Sequence, residues 1–181
     1  MSSSDSSAAR KFFDLCQQGS EQEWLCRHIM AVCLFHGFGT TGDRKKAAAI
    51  FEQLANEGYS DSQVCLGECY LFGWGVWRNR KQALQWYSKS AKQGNSYGQN
   101  MVGFCYYKGY GVTKDDTKAT EWWRNSAEQG NRYGQNNLGT CYKCGWGVPQ
   151  DTDTALFWLR KSADQGYNLA IDELKWLNKW P

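Results

Sequence analysis

Proline is nearly missing from this chain: two occur in 181 residues, while aromatic residues reach 15%. That balance excludes a proline-rich disordered segment and predicts a packed, ordered protein. Long hydrophobic runs are missing too. No stretch approaches the roughly 20 apolar residues that cross a bilayer as a helix. The opening residues M-S-S-S-D-S-S-A-A-R hold no apolar core of a secretory signal, so the expected setting is cytoplasmic or nuclear, with no membrane partner. Charge of one sign is scarce as well. The net charge is +3, and although Arg44, Lys45 and Lys46 form a dense basic run, Asp43 adjoins it and acids recur later. Nucleic-acid binders show a segregated basic face, so a nucleic-acid partner is not expected.

Groups that carry chemistry are equally sparse. His28 and His36 are the only histidines. On one helix their Cα atoms would stand about 12 Å apart, too far for direct joint ligation of a metal. Cys141 and Cys144 form a C-x-x-C without the second pair that a zinc ribbon needs. No phosphate-binding G-x-x-x-x-G-K-S/T occurs. Neither histidine has a visible orienting partner for nucleophilic catalysis. The expectation is a protein with no metal, no cofactor and no enzymatic activity.

What is present is repetition. Gly37, Gly73, Gly109 and Gly145 share one phase at 36-residue spacing, as do Gly39, Gly75, Gly111 and Gly147. Ala47, Ala83, Ala119 and Ala155 keep the same period, and so do Cys33, Cys69, Cys105 and Cys141. A fixed period without insertions predicts a solenoid whose units bury their faces against neighbours. Stacked helices lie about 10 Å apart and bridged Cα atoms within about 7 Å, so in-phase cysteines cannot pair across repeats. The thiols are expected to be reduced.

Each unit reads as a helical hairpin. Met101, Val102, Cys105 and Tyr106 form a helical stripe. Gly67, Gly103 and Gly139 sit in mid-helix, where glycine costs about 1 kcal/mol against alanine, which predicts close approach of a neighbouring backbone. A glycine ends the first helix, a tight G-x-G link follows, and Asp43, Asn79, Asp115 or Asp151 caps the second. The expected boundaries are a Ser-rich disordered tail at 1–7 and one domain over 8–181. That domain holds repeats at about 25–60, 61–96, 97–132 and 133–167, with capping helices at 8–19 and 168–181.

The pattern L-G-x-C-Y-x-x-G-x-G-V, then D/N-x-x-x-A-x-x-W, then A-x-Q-G resembles the Sel-one-like repeat (SLR), a relative of the tetratricopeptide repeat. It rests on Leu66, Gly67, Tyr70, Gly73, Gly75, Val76, Ala83, Trp86, Ala91 and Gly94, and on their in-phase counterparts. Repeat one departs, with Thr40 for the valine and Ile50 for the tryptophan. The resemblance implies an all-α fold, a right-handed αα-hairpin solenoid or superhelix. It also implies a non-catalytic adaptor or scaffold that binds a protein or peptide, expected as a monomer. Two alternatives stay open: a hydrolase of the kind reported for secreted, disulfide-rich relatives, and a purely structural module. Secreted relatives bridge the two helices of a repeat, whereas Ala55, Ala91, Ala127 and Ala163 stand near that place here.

In related hairpin repeats the first helix lines the concave side. Positions outside its core stripe are Glu68, Leu71, Phe72, Asn100, Phe104 and Tyr107, continued by Lys108, Asn136, Thr140 and Lys143. This mixture suits an extended peptide or a partner helix, with Asn100 and Asn136 expected to clamp its backbone. Phe38, Trp74, Tyr110 and Trp146, each between two glycines, make a second candidate. They either stack link upon link as a stabilising ridge or form a contact edge.

Overall fold

The computed structural model describes residues 3–19 and 23–177, with side chains from residue 7 onward. Ten helices and no strand occur among the described residues. They gather into two compact units, Met1–Trp86 and Tyr87–Pro181. The first holds α1 (Ser3–Gly19), α2 (Trp24–His36), α3 (Arg44–Asn56), α4 (Ser60–Phe72) and the start of α5 (Arg80–Lys92). The second holds the rest of α5, then α6 (Ser96–Lys108), α7 (Asp116–Glu128), α8 (Arg132–Cys144), α9 (Thr152–Asp164) and α10 (Asn168–Trp176). Helix α1 begins at Ser3, within the Ser-rich stretch 1–7. Residues 1–2 of that stretch, and 178–181 of the expected C-terminal cap, lie outside the described residues.

The predicted punctuation forms. Each second helix starts on its aspartate or asparagine: Asp43 Oδ1 accepts the Lys46 N–H at 2.9 Å, Asn79 Oδ1 that of Gln82 at 3.1 Å, and Asp115 Oδ1 that of Lys118 at 2.9 Å. Asp151 accepts from Asp153 and Thr154. These hydrogen bonds to the charged form hold the Asp115 and Asp151 carboxyls below the ordinary range, through the Lys118 N–H in one case and Thr154 in the other. The first helices α2, α4, α6 and α8 end on glycines with φ of 67–77°, the left-handed conformation that spares glycine a Cβ clash.

The second glycine of the link has a further reason. A Cβ on Gly75 would overlap the Arg44 carbonyl oxygen, and one on Gly147 would overlap that of Asp116. Both links therefore lie directly on the first turn of the preceding repeat's second helix. Only a residue without a side chain allows that approach.

The mid-helix glycines do the same between the helices of one hairpin. A Cβ on Gly103 would stand 2.7 Å from Trp123 Cδ1 and 3.0 Å from the Ala119 oxygen; on Gly139, 2.8 Å from Leu159 Cγ. The missing side chain makes room for a bulky residue of the second helix. Trp123, 3% exposed, fills it and donates its indole N–H to the Asn100 carbonyl at 3.1 Å. Around these contacts lie the buried in-phase alanines and cysteines. Burial pushes the Cys69 and Cys105 thiols up to about 12, and that of Cys141 to about 11. All eight cysteines are free.

A second set of hairpin contacts carries no signal in hydrophobic periodicity. Gln129 Nε2 donates to Gln99 Oε1, and Gln165 Nε2 to Gln135 Oε1, both at 2.7 Å and both thirty residues apart. Ser126 and Ser162 donate to the Ser96 and Arg132 carbonyls across the same hairpins. Repeat one uses charge instead: Arg27 grips Glu57 with two hydrogen bonds of 2.8 and 2.9 Å.

Candidate functional site

In the first unit an apolar cleft of about 220 Å³ opens between α2 and α4. Val32, Phe35 and His36 form one wall, Cys65 and Glu68 the other, with Phe51 of α3 below and Trp74 of the link at the end. The expected residue Glu68 thus lines a real concavity. Leu71 does not: it is 3% exposed and belongs to the core. It occupies the inward turn of α4, and its place outside the stripe was an error of face. Phe72 is 52% exposed and stacks on Trp74, with ring centroids 4.5 Å apart.

In the second unit the expected residues separate by burial. Phe104 and Tyr107 are half-buried and Lys108 is exposed, its ammonium 4.7 Å from the Tyr107 ring. Lys143 pairs with Glu173. Thr140 Oγ1 donates to the Asn136 carbonyl at 3.0 Å. Asn100 is 6% exposed and Asn136 9%, so the expected backbone clamp is not presented. Asn137, which periodicity did not single out, donates to Asn100 Oδ1 at 2.9 Å and receives a longer bond, 3.5 Å, from Asn136 Nδ2. These amides tie α6 to α8 because neighbouring first helices face each other closely there. Within the group, Asn136 Oδ1 is buried without a hydrogen-bond partner.

The link aromatics do not stack on one another as a ridge within either unit. Phe38 meets Phe12 of α1 edge-on at 6.4 Å, and Trp74 meets Phe35 at 5.2 Å. Tyr110 meets Phe104 at 5.7 Å, and Trp146 meets Tyr107 at 5.1 Å. Each ring rests on a helix rather than on the next link: Trp74 and Trp146 reach the preceding first helix, as Gly75 and Gly147 hold their links down on that hairpin, and Tyr110 leans on Phe104 of its own hairpin. The two candidate surfaces therefore share residues: Trp74 lines the cleft with Glu68, and Trp146 buttresses Tyr107.

One constellation has the look of chemistry. His28 Nδ1 lies 2.8 Å from Ser62 Oγ, a base–nucleophile distance. Yet Ser62 is wholly buried, in phase with Gly98 and Gly134, where the chain abuts the preceding helix. No substrate reaches it. Burial lowers the His28 pKa, against a smaller upward pull from Asp61. His36 is exposed on the cleft rim. Burial also pushes the Cys65 thiol up, which makes it a poor nucleophile. Among the described residues no group of three or more histidine, cysteine or acidic side chains is placed to hold a metal ion. No described helix is long and apolar enough to cross a membrane.

The comparisons with known proteins agree with this architecture. Sel1 repeat sequences match residues 25–59, 60–95, 96–131 and 132–167. The crystal structure of a Sel1 repeat protein from Oxalobacter formigenes superposes with a TM-score of 0.84 at 28% identity, over 90% of this chain and 65% of that one. The protective antigen c5321 of uropathogenic Escherichia coli, which displays an SLR fold, does so with 0.76 at 31%, over 88% and 34%. The chain thus spans about a third of one neighbour and just under two thirds of the other. Cysteine-rich protein B of Helicobacter pylori shares the fold, with a TM-score of 0.59 at 21% identity over 71% of this chain and 96% of that one. No curated protein matches the sequence significantly. Four tandem matches running from residue 25 to 167 make the chain a member of the Sel1 repeat family.

Proposed function

We propose that this chain is a non-catalytic protein-binding module, and that its first unit takes hold of a partner through the cleft between α2 and α4. Sel1 repeat proteins are generally protein–protein interaction modules. The observation that carries the reading to this site is the cleft itself, apolar in Val32, Phe35, Phe51 and Trp74 and bordered by the exposed ring of Phe72. Its volume of about 220 Å³ is below the ~300 Å³ at which small-molecule pockets begin. That size suits one protruding side chain of a partner. In the second unit, Phe104, Tyr107 and Lys108 provide a further, partly exposed strip, with Tyr107 held by Trp123 and Trp146.

The base–nucleophile contact of His28 with Ser62 is sealed from substrate, which supports a non-catalytic role over a hydrolase. The same reading takes the protein as a cytoplasmic or nuclear monomer, with Cys33, Cys69, Cys105 and Cys141 as buried packing residues at one phase. The test is affinity capture of partners with the intact chain, followed by titration of the purified partner against variants. Cys65→Phe, which fills the cleft, is expected to weaken binding at least tenfold with helical content unchanged. Phe104→Ala with Tyr107→Ala reports on the second strip. Normal binding by all three changes together overturns the assignment of these surfaces.

A further inference from the structure

The cleft has a charged neighbour that sequence order disguises. Arg44, Lys45 and Lys46 open α3, while Arg78, Arg80 and Lys81 surround the start of α5, more than thirty residues later. The link between α4 and α5 brings the two runs to one edge of the unit. Gly75 lies on the Arg44 carbonyl, with room for no side chain between them, and its missing Cβ would also stand 3.0 Å from the Lys45 nitrogen. The six cations are exposed, and the stretches 43–46 and 77–81 contain a single acid, Asp43, already engaged as the α3 cap. Lys45, Lys46, Arg78 and Lys81 enter none of the ion pairs of the described residues.

Two aromatic observations join this edge to the cleft. The Arg44 guanidinium lies 5.5 Å from the Trp74 ring and 5.3 Å from that of Phe35, and both rings line the cleft. Trp77, between the two basic runs, is 94% exposed. Exposed tryptophans beside arginines are the residue types that carry binding energy at interfaces. In the in-phase positions stand Thr41, Thr113 and Pro149, so the repeat itself does not call for an aromatic there.

Resting on the protein-binding reading above, we infer that the partner is an acidic linear segment. It carries one large apolar side chain for the cleft and carboxylates beside it for the Arg44–Arg78 edge. Glu68 on the α4 wall sets the polarity: the partner's acids run toward the α3 and α5 starts, away from that carboxylate. A bilayer with anionic headgroups would meet the same cations. It presents a flat surface, however, and leaves a concave apolar slot unfilled, whereas a peptide side chain occupies both features at once. Like-charged crowding at this edge is relieved by either, and faster association at low salt is the general consequence.

The experiment selects from a random dodecapeptide library displayed on phage, with the intact chain as bait. Enriched sequences are then synthesised with fluorescein and titrated by anisotropy. Enrichment of Asp and Glu around one large apolar residue is expected. Lys45→Glu with Arg78→Glu and Lys81→Glu should weaken such a peptide at least tenfold, Cys65→Phe at least tenfold, and Trp77→Ser about threefold. The charge changes are all at exposed positions, and unchanged circular dichroism serves as the folding control. Peptides without acids, whose binding falls with Cys65→Phe and ignores the charge reversals, would remove the acidic partner while leaving the protein-binding module intact. No enriched peptide, whether or not the chain binds phosphatidylserine vesicles or an oligothymidine strand instead, overturns both.

Discussion

The second helices of the two units begin in opposite ways. In the first unit α3 opens with Arg44-Lys45-Lys46 and α5 with Arg80-Lys81; at the same phase in the second unit stand Asp116-Thr117-Lys118 and Thr152-Asp153-Thr154. All four helices carry an aspartate or asparagine cap, Asn79 being the neutral one, and the same buried alanine. A helix N-terminus is partially positive, so acids there stabilise and cations destabilise, each by about 0.3–1 kcal/mol. The second unit follows local helix physics and the first opposes it. A similar contrast appears in the hairpin staples, neutral glutamine pairs at Gln99–Gln129 and Gln135–Gln165 against the Arg27–Glu57 ion pair. Where one repeat departs from the stabilising choice that its neighbours make, interaction with something outside the fold is the natural reason.

The largest expected effect tests the glycine-made hairpin contacts of the second unit. Gly103→Leu places a side chain into the Trp123 ring and should destabilise by about 3 kcal/mol, because overpacking moves backbone as well as side chains. Gly139→Leu should behave alike against Leu159. Lys175→Gly, at the same phase in α10 but exposed, should have no packing effect and lose only the helix propensity of a residue near a helix end, about 1 kcal/mol or less. Equal losses at Gly103 and Lys175 would show that the shared phase has no packing content.

Next comes the staple. Arg27→Ala should lower stability by about 1 kcal/mol or less, since the pair is partly solvated, and the loss should shrink at high salt. Arg27→Gln with Glu57→Gln rebuilds the neutral version and should recover stability without salt dependence. Failure to recover would mean that the first hairpin differs from the others in more than charge.

A smaller effect has the opposite sign. Lys45→Glu should raise thermal stability by about 0.5 kcal/mol at low salt, while Asp153→Lys in α9 should lower it by a similar amount. A stabilised variant that has lost its acidic peptide would show directly that the first unit holds its cations at the expense of helix stability. Unchanged stability in both would dissolve the contrast.

The smallest effect is in pH. Burial lowers the His28 pKa below its ordinary value near 6.5, so the unfolded chain binds the proton more readily. Stability is therefore complete above that value and declines as pH falls from it toward the folded pKa. Both histidines lie in the first unit. Unfolding followed between pH 7 and 5 should weaken the first unit, and His28→Gln should remove most of that slope. A slope that persists in the variant assigns it to other groups.

Much of the hairpin was legible because its signals are local. Gly73 and Gly109 mark helix ends by φ, Asp115 and Asp151 mark helix starts by reach, and the buried Cys69, Cys105 and Cys141 repeat at one phase. Mid-helix glycines announced a close contact, and Trp123 turned out to be its occupant. The candidate surface was legible only in part. Phe72 is exposed and Glu68, Phe104 and Tyr107 are half-buried, but Leu71, Asn100 and Asn136 are inside. Periodicity names the face of an isolated helix. A first helix in this array is packed on more than one side, so positions off its main stripe are also covered.

What the sequence determined by itself is the repeat, its length, its all-α hairpins and their caps, since each depends on contacts between residues near in the chain. Only the tertiary structure decided that the Gly75 link lies on Arg44, that Trp74 and Glu68 border one cleft, that Asn137 joins Asn100, and that Gln129 reaches Gln99. Those pairings arise when one helix is laid on another at a distance set by a missing Cβ. A pattern along the chain records that the Cβ is missing, but the partner that moves into the space is chosen in three dimensions.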